Sequence, residues 1–383
     1  MRLAAHAVAA LTRVDPVPGG AALTELRIVQ PALMLHARGP ARLSLLATLD
    51  LEGATMGEGE LTAGAWGEGF VDRRHPHTYV HELLLTADDV LGGADGPTRI
   101  SLTVGKGFAP FGTDDPMSRP VLRYPVNHHL AQVLERALVI GAVRTGPVAL
   151  ELGLFNGDEP ERPGQWPKVG RVGDSWSARL TGSPVTGLEL QVSRAHVHSP
   201  DHRDGAGTDQ EKWSVSGRWS GPVSGQPVYG MLEWARTTEA DGFFEFSTLL
   251  GEGAWTRGRH RLHYRFERTE RPEEERVSRF RTLRPHAENS ILGVTRWTIH
   301  TAGYSAALLE RGGVTVAPLV ELSYGRIGEV GGGLFEVDQV YGGNSFWSWT
   351  VGIRLAYGGG PHRMGRYGAA AGGEPPHHHR GGT

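Results

Sequence analysis

From Arg42 to Glu52 the chain reads RLSLLATLDLE. Leu43, Leu45, Ala47, Leu49 and Leu51 fall on one side of an extended strand. Arg42, Ser44, Thr48, Asp50 and Glu52 fall on the other, with Leu46 as an apolar intruder. Successive side chains of a strand point to opposite faces, so the alternation predicts a strand with one greasy and one charged face. The pattern recurs. Ile100, Leu102 and Val104 alternate with Arg99, Ser101 and Thr103, and Val148, Leu150, Leu152 and Leu154 with Ala149, Glu151 and Gly153. Trp213, Val215 and Trp219 alternate with Lys212, Ser214, Ser216 and Arg218, and Leu262, Tyr264 and Phe266 with Arg261, His263, Arg265 and Glu267. Near the end Trp349, Val351, Ile353, Leu355 and Tyr357 oppose Arg354. Long strands that repeat this pattern predict a transmembrane β-barrel, apolar outside and polar inside.

Sixteen strands are predicted, at 2–13, 31–38, 41–52, 77–88, 98–107, 131–143, 147–156, 174–182, 187–197, 211–221, 226–238, 243–253, 259–269, 290–308, 314–325 and 345–357. Short connections at 38–41, 144–146, 181–184, 221–225 and 310–313 alternate with long ones at 14–30, 53–76, 108–130, 157–173, 198–210, 270–289 and 326–344; 239–242 breaks the rule. Short turns on one rim and long loops on the other fit an outer-membrane barrel. The expected fold is therefore all-β, an antiparallel transmembrane barrel of about 16 strands over 1–358, followed by a flexible Gly- and His-rich tail at 359–383. One strand carries a conflict: Glu135 and Arg136 are neighbours in 131–143, so one faces lipid unless a bulge or the strand end intervenes.

Composition changes the picture little. A net charge of −3 over 383 residues argues against a nucleic-acid partner, which calls for a basic patch or stripe. No apolar run reaches the roughly 18 residues of a transmembrane helix, and a mean hydropathy of −0.30 does not count against a barrel, which puts only alternate residues into lipid. The absence of Cys removes disulfides and thiolate metal sites. The opening MRLAAHAVAALTRVDP reads as a strand of small residues more than as an intact signal peptide.

The alternation assigns an inward set of Arg42, Arg99, Lys212, Arg218, Arg261, Arg265, Arg296 and Arg354 against Asp50, Glu52, Glu151, Glu233, Glu245, Glu267 and Glu321, so near balance that charge selectivity stays open. Segment 108–130 holds Pro110, Pro116, Pro120 and Pro125, which reduce the freedom of the unfolded chain and favour an ordered loop. Such a loop either folds into the lumen as a constriction, with Asp114, Asp115, Arg119 and Arg123 beside Lys106, or caps the outside; the sequence leaves both open. His75, His77, His81, His128 and His129 have acidic neighbours and could hold a divalent metal, although the spacing is no established metal signature. Adjacent Asp114 and Asp115 before Pro116 read as turn formers. Neither a G-x-S-x-G elbow nor a phosphate-binding Gly-rich loop before a helix occurs, so no enzyme and no cofactor beyond a possible metal is expected.

The segments RRHPHTYVHEL (73–83), APFGTDDPM with PVNHH (109–129) and LFNGDEP (154–160) resemble an uncharacterised porin-like group of outer-membrane β-barrels of Gram-negative bacteria. The resemblance covers roughly 52–184 and implies a barrel in the outer membrane, in contact with the bilayer; the aqueous lumen of a barrel of about 16 strands gives the expected function, passive passage of small hydrophilic solutes. A metal-binding surface protein using the loop histidines is the alternative. Oligomeric state stays open.

Overall fold

The computed structural model describes residues 1–17, 19–40, 42–55, 77–90, 96–160, 162–278, 281–282, 291–331, 336–358 and 362–371. Sixteen strands form its frame: β1 Arg2–Val17, β2 Ala21–Arg38, β3 Leu43–Asp50, β4 Val80–Ala87, β5 Thr98–Gly107, β6 Arg136–Thr145, β7 Val148–Phe155, β8 Ser175–Gly182, β9 Leu188–Val197, β10 Gln210–Val223, β11 Gln226–Glu239, β12 Phe244–Arg257, β13 His260–Glu274, β14 Ile291–Ala306, β15 Val314–Gly331 and β16 Ser345–Tyr357. Each pairs antiparallel with its sequence neighbour, and β1 also pairs with β16, from Ala5 opposite Tyr357 to Asp15 opposite Trp347. That last ladder closes the barrel and removes the free edges that an open sheet would expose. A three-residue segment, Leu309–Arg311, pads the edge of β15.

The predicted strands all form, but the first long connection does not. β1 and β2 continue towards each other to Val17 opposite Ala21, so 14–30 is mostly ladder around a tight turn. β13 and β15 likewise run further than expected, to Glu274 and Gly331. The conflict in 131–143 is resolved at the strand end. β6 begins at Arg136, Glu135 precedes it with φ +59°, and both are buried.

Outward residues form the apolar belt. Leu49, Leu150, Leu152, Val351 and Ile353 are exposed, while Thr48, Asp50, Glu151 and Thr350 on the opposite parity are buried. Trp176, Trp213 and Trp347 lie near the long-loop ends of their strands, and Trp255, Tyr304 and Tyr357 near the short-turn ends, all exposed. Two such girdles suit amphipathic rings at the two interfaces of a bilayer. Leu152, 57% exposed, stands within the belt. Leu152→Arg is expected to cost about 2–4 kcal/mol of stability if the site is near the bilayer midplane, whereas Leu152→Phe should be nearly neutral. Reversible urea unfolding from lipid vesicles measures both; equal losses would overturn the outward assignment.

Candidate functional site in the lumen

The inner wall is crowded with charge. Asp50, Glu151, Lys212, Glu233, Arg265 and Glu267 are buried on inward positions, and Arg218, Arg261 and Arg354 share that parity. Glu52 is buried in a single helical turn just after β3. Arg99 belongs to the same face but sits at the short-turn rim, 3.1 Å from Asp89. Three inward assignments are corrected. Arg42 is exposed in the β2–β3 turn at φ +60°, because the strand starts one residue later. Glu245 is exposed and pairs with Arg236 near the long-loop rim. Arg296 has the parity of His300, opposite to buried Thr295 and Trp297, and reaches Glu270 at 2.6 Å. Arg179, which the sequence reading passed over, is fully buried and donates from Nε and Nη2 to the two Glu151 oxygens at 2.6 and 2.7 Å. Its alternation with Ser175, Ser177 and Thr181 was the signal available.

Segment 108–130 folds inward and crosses the lumen. At its start the Gly112 amide donates to Ser193 Oγ at 2.9 Å on β9, and Thr113 bonds Glu233 on β11. Arg119 lies 3.7 and 3.9 Å from Glu233 and Glu252. Further on, the Leu122 amide donates to Glu321 at 2.8 Å, Arg123 Nη2 to Thr350 Oγ1 at 2.8 Å, and the Val126 amide to Glu267 at 2.7 Å. Gly112 has φ +62°, and a Cβ there would fall on the Ala131 carbonyl, so glycine is required where the loop turns in. Asp115 does shape the turn: its Oδ1 accepts from the Met117 amide at 2.7 Å and from Tyr124 Oη at 2.8 Å. Asp114 instead faces cations, pairing with Arg218 and with Arg363 at 2.7 Å. Burial pushes the Asp114 carboxyl up, but Arg363 and Arg218 outweigh it and hold it well below the usual carboxylate range.

Arg363 belongs to the tail, and its position corrects the expectation of a flexible extension. Residues 362–371 lie inside the barrel along β4–β9. Arg363 also reaches Glu189 at 2.9 Å, as does Arg366, which further donates to Thr181 Oγ1 at 2.9 Å. Tyr367 Oη donates to Glu82 at 2.7 Å and accepts from the Phe108 amide at 3.0 Å. Arg144 donates to the carbonyls of Ala369 and Ala370 at 2.8 and 3.0 Å, and the Ala369 amide donates to Ser101 at 2.8 Å. Ala369 and Ala370 pack on Ala142 and Ala149 of the inner wall. Gly368 (φ +52°) abuts Ser101, with no room for a side chain. Residues 372–383, with His377–His379, lie outside the described residues.

Of the candidate metal ligands, the fold brings His77 and His81 together with Asp50: one donor atom from each lies within 4.8 Å of the others, and all three residues are buried. The His128 ring stands 6.1 Å from that of His77. His129 points elsewhere, 3.4 Å from Glu159, and His75 lies outside the described residues. Register places His81 in this group. Between Thr48↔Glu82 and Leu49↔Val80 the β3–β4 ladder skips one residue, so both His81 and Glu82 turn inward. Bulges of this kind re-aim side chains towards a site. Burial, reinforced by Asp50, pushes the Glu52 carboxyl beside the cluster up to about 7, against the pull of His77.

No protein-family model matches the chain, and no curated protein matches it in sequence. Solved structures match its fold. OprB of Pseudomonas putida, in a high-pH structure, superposes with a TM-score of 0.55 at 10% identity over 93% of this chain and 94% of that one. OmpF of Salmonella typhi in complex with daunomycin gives 0.53 at 10% identity over 93% and 97%, and an anion-selective porin from Comamonas acidovorans gives 0.52 at 12% over 93% and 98%. At such identities the likeness concerns architecture: the chain has the fold of the bacterial outer-membrane porins.

Proposed function

We propose that this chain is a non-enzymatic channel in the outer membrane of a Gram-negative bacterium, passing small hydrophilic solutes through a lumen narrowed by two inserted segments. The observation that carries the reading is loop 108–130, bonded to opposite inner walls through Ser193, Glu321, Thr350 and Glu267. A loop held across a barrel sets its narrowest section, and a sixteen-stranded barrel is wide enough to keep a water path beside it. The porin fold and the apolar belt between two aromatic girdles support the membrane placement. Both charge signs line the path, so a polar solute can exchange hydration for wall contacts. Planar-bilayer recording of the folded protein tests this. Discrete current steps are expected from the full chain or from the chain ending at Gly358. Silence from both, with folding verified, would overturn the channel reading.

A further inference from the structure

Four features of the cluster on the inner wall point to a cation. First, the donors are two imidazoles and a carboxylate, buried together, with donor atoms within 4.8 Å of one another. Second, His81 Nδ1 lies 2.8 Å from Glu135 Oε1, which as an acceptor fixes the proton on Nδ1 and leaves the Nε2 lone pair free. A carboxylate holding the far nitrogen is what metal-ligating histidines nearly always have. Third, His81 Nε2 is buried and has no hydrogen-bond partner among the described residues, and neither does Asp50 Oδ2, whose sister oxygen accepts from the Glu52 amide at 2.9 Å. Leaving two buried atoms of this kind unmatched is costly. Fourth, Asp50, Glu52 and Glu135 converge here, and among the described residues their ion-pair partners are the imidazoles themselves, with Lys106 reaching Glu135 only through Thr78 Oγ1.

We propose that Asp50, His77 and His81 form a binding site for a divalent transition-metal ion, Zn2+ by its ligand chemistry, on the inner wall of the barrel. Imidazole and carboxylate donors suit Zn2+ at about 2.0–2.2 Å, usually with four ligands. Donors on one ion therefore stand no more than about 4.4 Å apart, so binding draws the trio slightly inward. Glu52 Oε2 is 3.3 Å from His77 Nδ1 but outside the mutually close trio, so the fourth position falls to water, or to Glu52 after its side chain shifts. Glu135 is a positioning residue: it accepts from Thr78 Oγ1 at 2.6 Å and from the Thr78 amide at 2.9 Å, and so it holds His81 from a fixed base. The bulge at His81 and the left-handed backbone at Glu135 both serve this arrangement. The site stands whether or not the lumen conducts.

The test is calorimetric titration of the chelator-stripped, folded full chain with Zn2+, repeated for variants. The wild type should take up one ion more per chain than His77→Gln/His81→Gln. Glu135→Gln should keep that ion but bind it about 10–100-fold more weakly. His196→Gln/His198→Gln, in a half-buried cluster beside Asp209, should leave it unchanged. Equal uptake by the wild type and His77→Gln/His81→Gln would overturn the site. Should that variant fail to fold, X-ray absorption of the wild type below one equivalent of Zn2+ decides. Two imidazole nitrogens with carboxylate oxygen support the site, and an imidazole-only shell, such as His377–His379 would give, overturns it.

Discussion

Ending the chain at Gly358 is expected to raise single-channel conductance severalfold, and Arg363→Ala/Arg366→Ala should reproduce most of that increase. Segment 362–371 occupies volume against the inner wall and is held there by charge. Arg363 spans Asp114 of the inward loop and Glu189 of β9, and Arg366 shares Glu189 while lying 3.6 Å from Glu151. Breaking a fully buried pair costs about 3–5 kcal/mol; Arg363 and Glu189 are partly exposed and Asp114 keeps Arg218, so the loss here is smaller. Here the loss falls on docking of the segment, since water can follow as it leaves. Trypsin offers a second reading. Arg363 and Arg366 should resist cleavage in the wild type and become accessible in Asp114→Ala. Acid should not mimic that variant readily. The Asp114 carboxyl is held well below its ordinary value, so its contribution is complete above the unfolded pKa of about 3.9 and is lost only as pH falls through the lower, folded value. Protection from an acid-active protease down to that range checks the sign. Equal conductance of the full and shortened chains would show that the segment lies outside the conduction path.

The barrel was legible in the sequence because alternation is a local property. Glu151 between Leu150 and Leu152 declares its face without reference to any other strand. Misplacements arose where the local rule meets an end. Arg42 sits on the polar parity but one residue before the ladder begins, and Glu245 is on a strand yet near the rim, where an outward charge can reach water. Segment 14–30 was read as a long loop, although Thr24–Ile28 carries the alternation that continues β2. The tail was unreadable for a different reason. Its glycines describe a pliable chain, and what seats it are partners distant in sequence, Asp114 and Glu189 for Arg363 and Glu82 for Tyr367. For the histidines, residue type suggested a metal, but the selection of His81 over His129 depends on a bulge in the β3–β4 ladder, which spacing alone does not show.

Deleting 112–122, with a short Gly-Ser bridge between Phe111 and Arg123, should widen the pore more than any single substitution while leaving the barrel folded. The segment carries Asp114, Asp115 and Arg119 and the Leu122 amide, hence the contacts to Arg218, Glu233, Glu252 and Glu321. Stability should change little for two reasons. The interstrand ladder, including β1–β16, does not involve the loop. The wall charges left behind gain water and keep partners within the wall, as His263 does for Glu321 at 2.9 Å and Arg265 for Glu252 at 2.9 Å. Point substitutions leave the backbone bulk in place and expose single charges to a lumen that stays narrow, so Arg123→Ala should perturb more than it opens. The loop and tail meet at Asp114, so removal of either loosens the other. The conductance of the double deletion should therefore fall short of the sum of the two separate gains, the behaviour of residues that share a partner. Recordings of the wild type, each deletion and the pair measure this coupling. An unaltered conductance in the folded loop deletion would remove the constriction role and leave the narrowest section to the tail.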